Sequence, residues 1–189
     1  MKSSLISKEV IPFLSLFALL ITATIIIDVI LHLFNLVWIG RWLGILGTVI
    51  IILSFAYSLR KRKLIKTSKP KTLLKLHEIL SMVGALFILV HAGIHLYNLL
   101  PWLALVAMLI SVISGLTGSL LLKRSRQFIK EKKSFYLKEG LSKEEVEKKL
   151  FLDSTSYELM KKWRTVHFPI TLVFAILSVV HIITVLIFW

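Results

Sequence analysis

The 189-residue sequence contains no cysteine, only four prolines and only ten acidic residues. Without cysteine the chain has no disulfide, no thiolate metal site and no cysteine nucleophile. No glycine-rich dinucleotide-binding fingerprint occurs either, so we expect that the chain cannot itself oxidise a nicotinamide.

Basic residues outnumber acidic ones by 24 to 10, which gives a formal net charge of +14. A charge of this size can indicate a nucleic-acid-binding protein, but the basic residues here are clustered. Two precede the first apolar run, eight lie between the second and third, and thirteen lie between residues 123 and 164. Only Arg41 lies elsewhere. This distribution favours a membrane topology, and we expect no nucleic-acid partner.

Apolar residues make up 57% of the sequence, and they form five runs that meet or nearly meet the roughly 20 residues needed to cross a bilayer. The runs cover residues 11–36, 42–59, 76–100, 101–122 and 166–189. The first is too long to be the apolar core of a cleaved signal peptide. The sequence therefore predicts an all-α membrane protein, a bundle of five transmembrane helices.

With five crossings the basic clusters lie on one side of the membrane, which the positive-inside rule assigns to the cytoplasm. The N-terminus is then cytoplasmic and the C-terminus outside, with short outer turns at residues 37–40 and 98–101. Residues 1–189 are predicted to form a single transmembrane helical domain.

The segment 123–165, between the fourth and fifth spans, is predicted to be a helical cytoplasmic loop. Ser142 followed by Glu145 fits a capping box, and Asp153 or Ser154 can cap a second short helix. The basic surface of this loop can dock a partner protein or lie against anionic lipid head groups.

Four of the six histidines repeat with one spacing. His77 and His91 are fourteen residues apart in the third span, and His167 and His181 are fourteen apart in the fifth. Fourteen residues leave two helical side chains within roughly 40° of one face and about 21 Å apart. Because both spans cross in the same direction, His77 is expected at the depth of His167, and His91 at that of His181.

Ionisable residues inside a membrane span are costly and usually functional. Two opposed imidazoles fill the axial positions of a haem iron, so the histidine spacing predicts two b-type haems. The inner haem is assigned to His77 and His167. The outer haem is assigned to His91 and His181.

Three further residues are expected at these haems. Gly84 and Phe174 lie midway between the histidines of their spans. Gly84 would admit a macrocycle edge, and Phe174 either fills the space between haems or packs as an ordinary core residue. Arg164, one turn before His167, can pair with a propionate or anchor the helix at the interface. Pro169 can break the helix there. The predicted geometry of the inner pair, His77 and His167, therefore depends on whether the helix continues through Pro169.

Asp28, His32, Arg41 and His95 are expected near the outer haem and form a candidate quinone or proton site. Alternatively they satisfy one another, with Arg41 paired to Asp28 or to an outer propionate. His95 lies one turn from His91 and can replace it as a ligand, or pair with it at a small metal ion.

The stretches from His77 to His91, and from Trp163 through His167 to His181, resemble the ferric reductase-like transmembrane domain. Ferric reductases, NADPH oxidases and the haem-bearing membrane subunit of bacterial methionine sulfoxide reductase systems share this domain. The resemblance implies paired haem ligands on the third and fifth helices. We expect the chain to lie in a prokaryotic cytoplasmic membrane. Such reductases often add a sixth helix and a flavin and nicotinamide domain. Since the sequence stops at Trp189, we expect an electron-transfer subunit that takes electrons from a partner protein or quinol.

Two other classes of function remain open at this point. A metal-ion or proton transporter with a histidine-lined path predicts metal binding without a visible-region chromophore. A cofactor-free anchoring subunit predicts that the basic loop, and not the histidines, is needed for complex formation.

Overall fold

The computed structural model describes residues 10–61, 70–94 and 99–188. These residues are helical almost throughout, and no β-strand occurs among them, so the predicted all-α fold is confirmed. The elements in chain order are α1 (Ile11–Leu33), α2 (Val37–Ser54), α3 (Ala56–Lys61), α4 (Pro70–Ile94), α5 (Leu99–Leu116), a π-helical segment (Thr117–Leu121), α6 (Leu122–Lys138) and α7 (Lys143–Phe188).

Within the described ranges, five helical stretches are long and apolar enough to cross a membrane: α1, α2 with α3, α4, α5 and α7. Many of their large apolar side chains are exposed, among them Leu33, Leu186 and Phe188. Exposed apolar surface on this scale marks contact with a membrane or with partners. The fold is therefore compatible with an integral membrane protein.

The first turn between spans lies earlier than predicted. α2 begins at Val37, so residues 37–40 form its first turn and the predicted outer turn there is wrong. The chain turns instead at Phe34 and Asn35, where Asn35 has a positive φ of 55°. Asparagine tolerates this left-handed conformation better than most residues, and Arg41 alone does not stop a helix.

The segment between the fourth and fifth spans is helical, as predicted, and its capping box is confirmed. The Ser142 N–H donates to Glu145 Oε2 over 2.9 Å, and the Glu145 N–H donates to Ser142 Oγ over 3.3 Å. The predicted helix start at Asp153 or Ser154 is wrong, because α7 (Lys143–Phe188) passes through both residues without a break.

Pro169 does not end α7. A proline inside a helix removes one backbone hydrogen bond and crowds the carbonyl one turn back, but the helix continues through it here. His167 and His181 therefore lie on one helix, as the predicted spacing requires.

The contacts divide the chain into two compact units. One unit comprises Leu19–Val112 and α7 from Ile170 onward, and its core is a cluster of small and apolar residues. The cluster consists of Leu20, Ala85, Leu89, Ala104, Ala107, Met108 and Phe174. The other unit comprises α1 up to Ala18 together with Ile113–Pro169.

In this second unit α6 packs against the first part of α7 around a buried ion pair. Lys132 Nζ lies 2.8 Å from Asp153 Oδ2, with side-chain exposures of 9% and 7%. The ammonium also lies 5.3 Å from the centre of the Phe128 ring, a cation–π distance. Val146 and Leu150 of α7 are also buried.

Asp153→Ala should lower the free energy of unfolding by about 3–5 kcal/mol, because it removes the carboxylate that compensates the charge of the buried Lys132 ammonium. Chemical unfolding in detergent, followed by helical circular dichroism, measures the loss. The matched control is Glu158→Gln, which breaks the exposed Lys161–Glu158 pair and should cost under about 1 kcal/mol. Equal losses in the two variants would show that burial of the first pair is unimportant.

The capping box predicts a pH effect at the start of α7. The backbone N–H of Ser142, followed by its hydroxyl, holds the pKa of the exposed Glu145 carboxyl below its ordinary value. A depressed carboxyl pKa stabilises the fold above the ordinary pKa, and that contribution disappears as pH falls through the lowered value. Ser142→Ala keeps the N–H, so it should raise the Glu145 pKa only partway. Carbon NMR titration of the carboxyl checks both statements, and an ordinary Glu145 pKa in the unaltered protein would contradict the cap.

Candidate functional site

A face of α2 made of small residues packs against α4. Its small residues are Gly40, Gly44, Gly47 and Ser54. The two backbones come close there, since a Cβ on Gly47 would lie 2.9 Å from Ile88 Cγ1 and 3.0 Å from the Gly84 carbonyl oxygen. We call this contact between the four small residues and α4 the glycine seam.

His91 lies at one end of the glycine seam. Its Nδ1 is 3.0 Å from the Gly40 carbonyl oxygen. A carbonyl only accepts hydrogen bonds, so Nδ1 carries the proton and Nε2 holds the lone pair. Gly44 makes this position possible, because a Cβ there would lie 2.7 Å from the imidazole ring. A backbone acceptor at Nδ1 is the usual support for a histidine that binds metal through Nε2.

His77 lies at the other end of the glycine seam. Its Nδ1–H donates to the Ser54 carbonyl oxygen over 3.0 Å. Ser54 is the last residue of α2, where carbonyls lack helical partners. The His77 ring also stacks on Tyr57 of α3, with the ring centres 5.7 Å apart and the planes at 27°.

The two hydrogen bonds share one register. The histidines are fourteen residues apart on α4, and their acceptors, Gly40 and Ser54, are fourteen residues apart on α2. Two packed helices rise by the same distance per residue, so one helix contact satisfies both imidazoles.

His167 belongs to the second unit and contacts α5. Its Nδ1 lies 3.0 Å from Oγ of the fully buried Ser114. Gly115 leaves room for the imidazole, since a Cβ there would lie 3.1 Å from its Cε1. A hydroxyl can donate or accept, so this contact orients the ring without fixing which nitrogen carries the proton.

His181 is partly buried on α7, in the same unit as His77 and His91. Within the described ranges its ring shows no hydrogen bond comparable to those of the other three. The haem pairings, His77 with His167 and His91 with His181, stay predictions.

The structure places Gly84 in the glycine seam. A Cβ on Gly84 would lie 2.6 Å from Ile51 Cγ1 and 3.1 Å from the Gly47 carbonyl oxygen. Helix packing therefore accounts for this glycine, and its place beside a macrocycle stays a prediction. Phe174 is a core residue of the apolar cluster and is only 7% exposed. The side chain of Arg164 lies outside the described part of the chain.

Gly84→Ala should lower the free energy of unfolding by about 1–3 kcal/mol, because the added methyl overlaps Ile51 and the Gly47 backbone. Denaturant unfolding in detergent measures this loss. In the control Gly93→Ala the methyl meets the Asp28 carboxyl at 3.3 Å, a looser contact that should cost less. If Gly84→Ala left the stability unchanged but abolished cofactor binding, the result would instead support the predicted place of Gly84 beside a macrocycle.

Of the candidate quinone or proton site, the structure brings Asp28 and His32 together on α1. The His32 Nδ1–H donates to the Asp28 backbone carbonyl over 2.9 Å and lies 3.6 Å from Asp28 Oδ1. That Oδ1 atom is buried and has no hydrogen-bond partner among the described residues. Arg41 is exposed near the start of α2, and His95 lies outside the described residues.

Sequence reasoning missed the residues that hold the histidines in place. They are Gly40, Gly44, Ser54, Tyr57, Ser114 and Gly115. The available signal was the spacing of small residues in the second and fourth spans, which marks close helix contacts in membranes. Two of the acceptors are backbone carbonyls, which have no signature in a sequence.

The residues present fit haem ligation, because His77 and His91 each have a backbone carbonyl at Nδ1, the kind of partner that supports a ligating histidine, and His167 has a hydroxyl there. No group of three or more His, Cys, Asp or Glu side chains suited to a metal ion occurs in the described residues. An axial haem site needs only two imidazoles. No protein-family model matches the chain, and no curated protein or solved structure matches it either.

Proposed function

We propose that this chain is an integral membrane dihaem cytochrome b that carries electrons across the bilayer. The observation that carries the proposal is the paired register of the glycine seam. Two histidines fourteen residues apart on α4 each donate Nδ1–H to a carbonyl of α2, which leaves both with the lone pair on Nε2. The proposed opposing ligands are His167 and His181, which have the same spacing on the continuous α7.

In this proposal His77 and His167 hold the inner haem, and His91 and His181 hold the outer one. Haem, when bound, supplies reversible one-electron transfer. The Gly40 and Ser54 carbonyls would orient their imidazoles by accepting a hydrogen bond from Nδ1–H, which leaves Nε2 as the nitrogen that can bind iron. Ser114 orients His167 through its hydroxyl.

The proposed topology follows the basic clusters. α6 and the first part of α7 carry 13 of the 24 basic residues and would lie in the cytoplasm with the N-terminus, leaving the C-terminus outside. We place the chain in a prokaryotic cytoplasmic membrane, where the basic clusters would face the cytoplasm. An electron donor or acceptor protein can dock on this basic surface or on the outer face.

A quinone is the second candidate electron partner. Asp28 Oδ1 is buried near Gly93 of α4 and accepts no hydrogen bond from the described residues. It therefore favours a ligand that can donate a hydrogen bond to it, as a quinol hydroxyl can. His32, which contacts the same residue and is about half exposed, would exchange the proton with water.

The proposal predicts two haems per chain in the purified protein, measured by the pyridine haemochrome assay. His91→Ala should remove one haem, since it deletes a single axial ligand of the outer site. The matched control is His32→Ala, because His32 is exposed and its Nδ1 bonds within its own helix. Protein without a haem spectrum, or equal haem loss in both variants, would refute the proposal.

The same spectra separate the other classes. A reduced-minus-oxidised spectrum produced by added quinol, and weakened by Asp28→Asn with haem content unchanged, supports the quinone site. Metal binding without a visible chromophore indicates a transporter. Loss of complex formation on deleting the α6–α7 hairpin alone, with no haem present, indicates an anchoring subunit.

A further inference from the structure

An open groove of about 490 Å³ lies beside the π-helical segment, within the unit that contains Ile113–Pro169. Thr117 and Leu121 form one wall, and Leu159, Trp163 and Val166 of α7 form the other. The lining is mostly apolar, and the groove opens to the outside of the chain.

The local structure explains why the groove is apolar. The Thr117 hydroxyl donates to the Ile113 carbonyl over 2.7 Å, so its hydrogen is satisfied within its own helix. On the other wall Leu159 is 62% exposed and Trp163 is 42% exposed. π-helical segments inside α-helices frequently occur at functional sites. This one lies beside an exposed apolar wall.

Among the described residues that line the groove, the charged one is Lys162. Its neighbour Lys161 is paired with Glu158 over 3.4 Å. Among the described residues no carboxylate forms an ion pair with Lys162. An apolar groove with an unpaired ammonium is complementary to an amphiphile that has an apolar chain and an anionic head.

The sequence around the groove matches the edge of a bilayer. The fifth apolar run begins at Val166, and Trp163 precedes it as an interfacial aromatic residue. Basic residues dominate the chain before that point, where anionic head groups of the cytoplasmic leaflet would meet them.

We propose that this groove binds one anionic phospholipid, with an acyl chain along Leu159, Trp163 and Val166 and the phosphate at Lys162. The site rests on the proposed membrane insertion and is independent of haem. A neutral prenylquinone would fill the apolar walls but leave the Lys162 ammonium uncompensated, so the charge favours a phospholipid.

Native mass spectrometry of the full chain tests the site, in micelles that contain equal amounts of phosphatidylglycerol and phosphatidylcholine. We expect preferential retention of one phosphatidylglycerol per chain. Lys162→Gln should weaken that retention about fivefold, the effect of one basic residue at an anionic surface. Lys161→Gln removes the same charge one residue away, outside the groove, and should leave retention unchanged.

A second pair of variants tests the apolar walls. Leu159→Trp should block the groove and reduce lipid retention, whereas Leu152→Trp, at a position 75% exposed and outside the lining, should not. Equal retention of both lipids, or equal effects of the two lysine variants, would overturn the proposal. So would a prenylquinone retained in place of lipid and lost in Leu159→Trp. Haem content, measured on the same samples, reports separately on the cytochrome proposal.

Discussion

The glycine seam is the constraint on which the α4 histidines depend. Without a Cβ at Gly44, the His91 ring can lie against α2, and without one at Gly47 the two helix backbones can approach each other. In a lipid environment such close contact replaces the hydrophobic effect as the force that holds helices together. The same contact therefore stabilises the helix pair and sets the orientation of both imidazoles.

The register of this contact is cooperative. If α4 changed its register on α2 by one residue, each position on α2 would face a side chain about 1.5 Å away along the axis and about 100° around the helix from the present one. Both Nδ1 hydrogen bonds, at Gly40 and Ser54, would then be lost together, and each contributes about 0.5–1.5 kcal/mol. The close packing of Gly84 against Ile51 adds a steric penalty to the same displacement. The two ends of the seam thus reinforce one position.

Much of the fold could be predicted from local patterns, while the exceptions involve distant contacts. Long apolar runs identify the spans, and the capping box at Ser142 identifies the start of α7. Asp153 resembles a helix cap in sequence, yet Lys132 on another helix pairs with it and keeps it inside α7. The histidine spacing predicts which side chains share a face. It does not reveal that Gly84 faces α2, because that depends on which helix packs there.

The acceptors at Gly40 and Ser54 have one more consequence, for experiments that substitute every residue in turn. A main-chain carbonyl survives any side-chain change, so no single substitution deletes the acceptor itself. A mutational scan would show a strong effect at Gly44, where an added methyl displaces the His91 ring. It would not test the two carbonyl oxygens that accept the hydrogen bonds of the imidazoles. The intolerant positions would then be the glycines of the seam that have no room for a Cβ, and the scan would not detect the two hydrogen bonds.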